Sequence, residues 1–113
     1  MRISGVGPDV PQVVNENGGA QSATPYRFDL LDPIVMFRLA KVIGLGAEKY
    51  GDDNWSRISA EDHLNHAVQH IYAWLAGDAQ EDHLGHALCR IVLAAAVEQT
   101  EMNDHPADVF LAE

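Results

Sequence analysis

Several features are scarce or missing in this sequence of 113 residues. Cys89 is the single cysteine, so no internal disulfide can form. The N-terminus has no apolar stretch of the kind that directs secretion, so we expect no signal peptide. The longest strongly apolar run, residues 91–97, is far shorter than the roughly 20 residues that span a bilayer. These absences predict a cytoplasmic protein with no membrane partner.

Basic residues are also few, with seven Lys and Arg against seventeen Asp and Glu and a formal net charge of −10. They are spread along the chain rather than clustered, so a nucleic-acid backbone would be repelled. We therefore expect no nucleic-acid partner. A small anionic substrate still fits if a divalent cation bridges it to the carboxylates of the protein.

Signals for helices recur along the chain, whereas the alternation typical of strands is absent. Asp32-Pro33 reads as an N-cap followed by proline in the first turn, which predicts a helix over residues 33–50. Ser59 predicts a second helix to about residue 76, and a third is expected from residues 79–82 to about 101. The short connection between the last two predicts an antiparallel hairpin.

Residues 1–25 contain glycine or proline seven times without any period and are interpreted as a flexible arm. Residues 26–113 are predicted to form one all-α domain, a small bundle of three main helices with short terminal elements. A short final helix is expected after Asp108.

The apolar residues of the helices predict which faces are buried. The expected core stripes are Leu64, Val68, Ile71 and Leu75 on the second helix, and Leu84, Leu88, Ile91 and Ala95 on the third. The first helix is apolar on two faces, one with Leu39, Val42, Ile43 and Gly46 and the other with Ile34, Phe37 and Leu45. Two apolar faces favour a helix shared with another subunit, so we expect oligomerisation to complete the bundle.

The pattern Glu-Asp-His-Leu-x-His-Ala occurs twice, at residues 61–67 and 81–87. At helical spacing it places His63, His66 and His70 on one stripe of the second helix, and His83, His86 and Arg90 on the equivalent stripe of the third. In a hairpin with a local twofold axis, the two polar stripes could flank one cleft.

The acids of the repeat have different interpretations in its two copies. Glu61 and Asp62 fit a first helical turn, where acids complement the helix dipole. Asp78, Glu81 and Asp82 have i, i+3, i+4 spacing, which would crowd three carboxylates on one turn and favour a bound cation. The carboxylates suit magnesium or manganese and the imidazoles suit zinc, and both remain open.

Three segments together resemble the dATP/dGTP diphosphohydrolase family of phages and bacteria, which is related to MazG-like all-α nucleoside triphosphate pyrophosphohydrolases. The segments are RFDLLDP (residues 27–33), GAEKYGDDNW (residues 46–55) and Gly77-Asp78 with the second copy of the repeat. The resemblance implies a homodimer or homotetramer that cleaves purine deoxynucleoside triphosphates between the α and β phosphates with Mg²⁺ or Mn²⁺. The protein would act in the cytoplasm, that of the host if the chain is phage-encoded.

The resemblance also implies roles for residues. Catalytic roles fall on Glu48, Glu81 and His70. Metal binding is expected from Glu48, Glu81 and Asp82. The family pattern has a further acid that the first helix lacks, and Asp52 is a candidate to replace it as a metal ligand. Contacts with the nucleotide are expected from Lys49, Asn54, Trp55, His66, His83 and His86.

Two alternatives remain. The small acidic set on the first helix motivates a protein that binds or sequesters a nucleotide without hydrolysing it. The histidines motivate a zinc-stabilised helical scaffold.

Overall fold

The computed structural model describes residues 3–103. The described residues group into two compact units, one formed by residues 32–101 and the other by residues 3–31 with residues 102–103. The predicted final helix after Asp108 lies outside the described residues. The predicted domain boundary at residue 25 stays a prediction.

Residues 3–31 include a small β-hairpin that the sequence does not predict. Strands β1 (Gln12–Val14) and β2 (Ala20–Ser22) pair antiparallel. The Asn15 side-chain carbonyl closes the turn by accepting from the backbone N–H groups of Asn17 and Gly19, both at 2.9 Å. The expectation that no strand occurs is therefore wrong for this segment, because strands of three residues are too short to show a period of two.

The first helix, α1, spans Pro33–Tyr50, as predicted. The Asp32 carboxylate accepts from the backbone N–H groups of Ile34 at 2.8 Å and Val35 at 3.3 Å, which satisfies two donors at the helix start. The helix ends at Gly51, whose φ of 97° is a conformation that residues with a Cβ rarely adopt.

The second helix, α2, spans Ala60–Leu75. The predicted cap is confirmed, since the Ser59 hydroxyl accepts from the Asp62 N–H at 3.1 Å. Gly77, with φ 88°, closes the helix. The N–H groups of Gly77 and Asp78 donate to carbonyls of the last turn, both at 3.0 Å, in a Schellman motif.

The third helix, α3, spans His83–Asn103 and begins after the acids of the second repeat copy, slightly later than predicted. Asp82 is its N-cap: the backbone carbonyl accepts from His86 N–H at 2.9 Å, and the carboxylate accepts from Gly85 N–H at 3.0 Å. A Cβ at Gly85 would lie 2.0 Å from an Asp82 carboxylate oxygen. A Cβ at this position would therefore displace the folded-back side chain of Asp82.

Helices α2 and α3 run antiparallel, which confirms the predicted hairpin. His63 near the start of α2 contacts Arg90 of α3 at 2.7 Å between Nδ1 and a guanidinium nitrogen. His70, seven residues later, contacts His83 at 3.0 Å between the two Nδ1 atoms. Residues later in α2 thus contact residues earlier in α3, as expected for antiparallel helices.

The predicted core stripes of α2 and α3 are wrong, because these helices face each other through the histidine stripe. His63 is 0% exposed and His83 is 8% exposed, whereas Leu64 is 45% and Val68 is 47% exposed. Leu75, Leu84, Ile91 and Ala95 are also exposed, and Ile71 and Leu88 are half-buried. The imidazoles tolerate burial because their ring nitrogens find hydrogen-bond partners in the hairpin.

The buried apolar side chains are mostly small: Val42, Ala67, Ala87, Cys89, Ala94 and Val97. On α1, Val42 of the first predicted face is buried, and Ile43 of that face is exposed. Ile34 and Phe37 of the second face are 76% and 75% exposed. Among residues 3–103, no helix combines the length and apolar character needed to cross a bilayer.

Candidate functional site

A cavity of about 730 Å³ opens within the helical unit. Its walls come from the end of α1, the loop that follows, α2 and α3. Its volume lies in the range of sites for small molecules, roughly 300–1,000 Å³. The polar residues that line it are Lys49, Asp52, Asn54, His63, His66, His70, Glu81, His86 and Arg90.

Three side chains converge at the edge of this cavity, which we call the His70–Glu81–His83 triangle. The Glu81 carboxylate lies 3.3 Å from His70 Nδ1 and 3.6 Å from His83 Nδ1, and the two Nδ1 atoms are 3.0 Å apart. Within residues 3–103, these three side chains form the group of His, Cys, Asp or Glu ligands that is close enough together to hold a metal ion.

Asp78 orients His83 by accepting a hydrogen bond from its Nε2. The Nδ1 of His83 therefore carries the lone pair and accepts from His70 Nδ1–H. The same hydrogen bond lowers the pKa of the Asp78 carboxyl. Burial, together with neighbouring His86, lowers the pKa of His70. The lowered pKa of His70 favours its neutral imidazole, and the lowered pKa of Asp78 favours its ionised carboxylate.

The crowding expected among Asp78, Glu81 and Asp82 is not found, because α3 begins only at His83. Each acid instead has its own neighbour. Asp78 contacts His83, Glu81 joins the triangle, and Asp82 forms an ion pair with Arg38. The guanidinium of Arg38 lowers the pKa of Asp82 to about 2.

A second polar pair lies across the hairpin from the triangle. His63 is fully buried, and its Nε2–H donates to the Trp55 carbonyl at 2.9 Å. Its Nδ1 is thereby left to accept from Arg90 at 2.7 Å. Among the described residues, Arg90 has no carboxylate partner, so its positive charge remains available to the cavity that it lines.

The two pairs are related by the repeat. His63 and His83 are equivalent positions of its two copies, and so are His70 and Arg90. The observed pairs, His63 with Arg90 and His70 with His83, are therefore local twofold equivalents. This is the cleft flanked by two stripes that the repeat predicts, but its halves differ: one holds a guanidinium and the other holds a second imidazole with a carboxylate.

The structure brings most of the predicted site residues to one cavity. Lys49, Asp52, Asn54, Trp55, His66, His70, Glu81 and His86 line it. Glu48 is exposed and does not line it. Asp82 lines a separate, mainly apolar cavity of about 530 Å³ beside Arg38.

The sequence places His63 and Arg90 on the stripes that could flank a cleft and Asp78 in an acidic set that favours a cation, but it assigns none of the three a role in the site. Arg90 stands where the first repeat copy has a histidine, and this difference between the copies is the signal that could have identified it. The burial of His63 has no such signal, because it depends on which faces of α2 and α3 meet.

Residues 15–105 match the family model described as dATP/dGTP diphosphohydrolase, N-terminal. The chain belongs to this family. The match covers the helical unit, including the whole repeat and the loop with Trp55. No curated protein and no solved structure gives a significant match.

Proposed function

We propose that this chain hydrolyses purine deoxynucleoside triphosphates, dATP and dGTP, to the monophosphate and pyrophosphate, with a divalent metal ion. The observation that carries the proposal is the convergence, at one cavity of a protein of this family, of a metal-ligand triangle and a guanidinium that has no carboxylate partner among the described residues. Water adds to the α-phosphorus and the bond to the α–β bridging oxygen breaks, so that pyrophosphate leaves.

Charge explains why a metal ion is needed. A triphosphate is strongly anionic, and the chain has a formal net charge of −10. Arg90 and Lys49 supply positive charge at the cavity. A bound divalent ion, Mg²⁺ or Mn²⁺ by the family resemblance, would add the remainder, polarise a phosphate oxygen and lower the pKa of a water molecule.

Other residues of the chain bind the phosphates and the base and position the attacking water. Arg90, held by His63, donates to phosphate oxygens through a planar guanidinium that suits them. Trp55 and Asn54 lie together on the cavity wall, where an indole can stack on a purine and a carboxamide can bond its edge. Of the two carboxylates with a predicted catalytic role, Glu48 and Glu81, we assign the positioning of the attacking water to Glu81, since it lines the cavity and is half exposed.

Assembly is part of the proposal. Large apolar side chains on α1, α2 and α3 remain exposed in the single chain, among them Phe37, Val68 and Tyr72. A homodimer or homotetramer would bury these surfaces and remove apolar area from water, which is the main driving force of obligate association.

The test is a pyrophosphate-release assay with dGTP and dATP in the presence of Mn²⁺ or Mg²⁺. The repeat offers a matched pair of variants, because Glu61 is the equivalent of Glu81 and is exposed in the first turn of α2. Glu81→Gln should abolish release, whereas Glu61→Gln should keep it. Absence of product at micromolar wild-type enzyme would refute the proposal. Nucleotide binding without product, unaffected by EDTA in calorimetry, would favour the sequestering protein instead.

A further inference from the structure

We propose that the His70–Glu81–His83 triangle is a built site for a borderline first-row divalent ion, with Zn²⁺ as the reference. The ligands are Nδ1 of His83, Nδ1 of His70 in the tautomer that carries its proton on Nε2, and a carboxylate oxygen of Glu81. The site deepens the proposed function, since it identifies the class of ion at that cavity. A Mg²⁺ ion carried by the phosphates of the substrate would be a separate ion.

The dimensions of the triangle fit an ion. Ligands placed 2.1 Å from a central ion are about 3.4 Å apart in a tetrahedron and about 3.0 Å apart in an octahedron. The three edges of the triangle are 3.0, 3.3 and 3.6 Å. The three donor atoms therefore already have the spacing of one face of a coordination shell.

The donor set favours zinc-like ions over magnesium. Two of the three donors are imidazole nitrogens. Magnesium demands oxygen ligands and usually keeps several waters, whereas neutral imidazole binds zinc and its neighbours well. Two histidines and one glutamate are also a donor set that catalytic zinc sites use, with a position left open for water or substrate. Glu81 and His70 line the cavity, so an open position would face the substrate.

Asp78 orients one of the ligands without itself being a ligand. A histidine that ligates a metal usually donates its other ring N–H to a carboxylate, which fixes the tautomer and raises the basicity of the ligand. His83 donates Nε2–H to Asp78 and keeps Nδ1 for the triangle. His83 is 8% exposed, so packing holds the ring in this orientation.

The other half of the hairpin serves as an internal comparison. There the equivalent pair is His63 with Arg90, and a guanidinium occupies the place where a second imidazole would be. Glu61, the equivalent of Glu81, is exposed and belongs to no metal-binding group of the described residues. One ion per chain is therefore expected, at the second copy only.

The test uses the full chain stripped of metal with EDTA and measures binding without turnover. Calorimetric titration should show one Zn²⁺ per chain and at least about a hundredfold weaker binding of Mg²⁺. X-ray absorption of the zinc-loaded protein should show two imidazole ligands. Asp78→Asn should weaken zinc binding by about 10- to 100-fold. Glu81→Gln, at an exposed position that tolerates substitution, should weaken it further, whereas Glu61→Gln should leave it unchanged.

An all-oxygen coordination shell, equal affinity for Mg²⁺ and Zn²⁺, or unchanged affinity in Asp78→Asn and Glu81→Gln would overturn the inference. These outcomes are separate from those of the proposed function. Zinc binding here without pyrophosphate release would support the metal site and refute the proposed activity. Hydrolysis of dGTP with Mg²⁺ without zinc binding would support the activity and refute the metal site.

Discussion

Replacement of His63 by alanine should be among the most destabilising changes to a polar side chain in the helical unit. The imidazole is 0% exposed and links the Trp55 carbonyl to the Arg90 guanidinium. Its removal leaves a carbonyl and a cation without their partners, at about 1–3 kcal/mol each, and opens a cavity as well. We expect the free energy of unfolding to fall by about 3 kcal/mol, with water partly replacing the lost bonds.

Urea denaturation followed by circular dichroism measures this change, and a thermal scan should show a fall in Tm of about 12 °C. His66→Ala is the matched control, since His66 is an exposed histidine three residues along the same helix. It should cost less than about 0.5 kcal/mol. A double-mutant cycle with Arg90→Ala should give a coupling of about 1 kcal/mol or more. Equal stability of His63→Ala and His66→Ala, or no coupling to Arg90, would refute the assignment of this network.

Three further outcomes follow from the fold. Arg38→Gln should lower the free energy of unfolding only slightly at pH 6, as expected for a largely exposed ion pair. The pKa of Asp82 is lowered to about 2, so the ion pair stabilises the fold above about pH 4 and this stabilisation disappears as the pH falls toward 2. A stability difference between wild type and Arg38→Gln that does not change with pH would contradict this. Gly85→Ala should lower the free energy of unfolding by about 1–2 kcal/mol, because the new Cβ meets the Asp82 carboxylate. Asn65→Ala, at the equivalent position of the first copy, should be neutral. Equal shifts of the two variants in chemical denaturation would argue against this packing. Val68→Glu, on the exposed apolar stripe, should convert the proposed oligomer to a monomer in light scattering. A wild-type chain of monomer mass would contradict the proposed assembly.

The helices could be predicted from the sequence because their ends are determined locally. Asp32 and Ser59 satisfy N–H groups only two or three residues away, so their effect does not depend on the rest of the fold. The faces of α2 and α3 could not be predicted in this way. Periodicity separates leucines from histidines, but it does not show which stripe a partner helix covers. His63 and His83 of this stripe are buried because they bond Arg90 and His70 across the hairpin, and these partners are more than ten residues apart.

The repeat shows a related limit at the site. Its two copies have nearly the same residues, yet the first lies within α2 and the second spans the start of α3. Glu61 therefore projects from a first helical turn, whereas Glu81 lies before its helix and reaches His70 and His83. The sequence predicted metal ligands in the second copy, at Glu81 and Asp82. It did not predict that His70 and His83 form one group with Glu81, because that required the helix start at His83.

The position of Trp55 gives this protein an internal fluorescent reporter. The chain has two tryptophans, and Trp55 is the one that is half-buried on the cavity wall, with its backbone carbonyl bonded to His63. The other, Trp74, is 52% exposed near the end of α2 and can be replaced by phenylalanine without touching the cavity. In such a Trp74→Phe variant, the emission of a single indole would follow nucleotide entry into the cavity without any label.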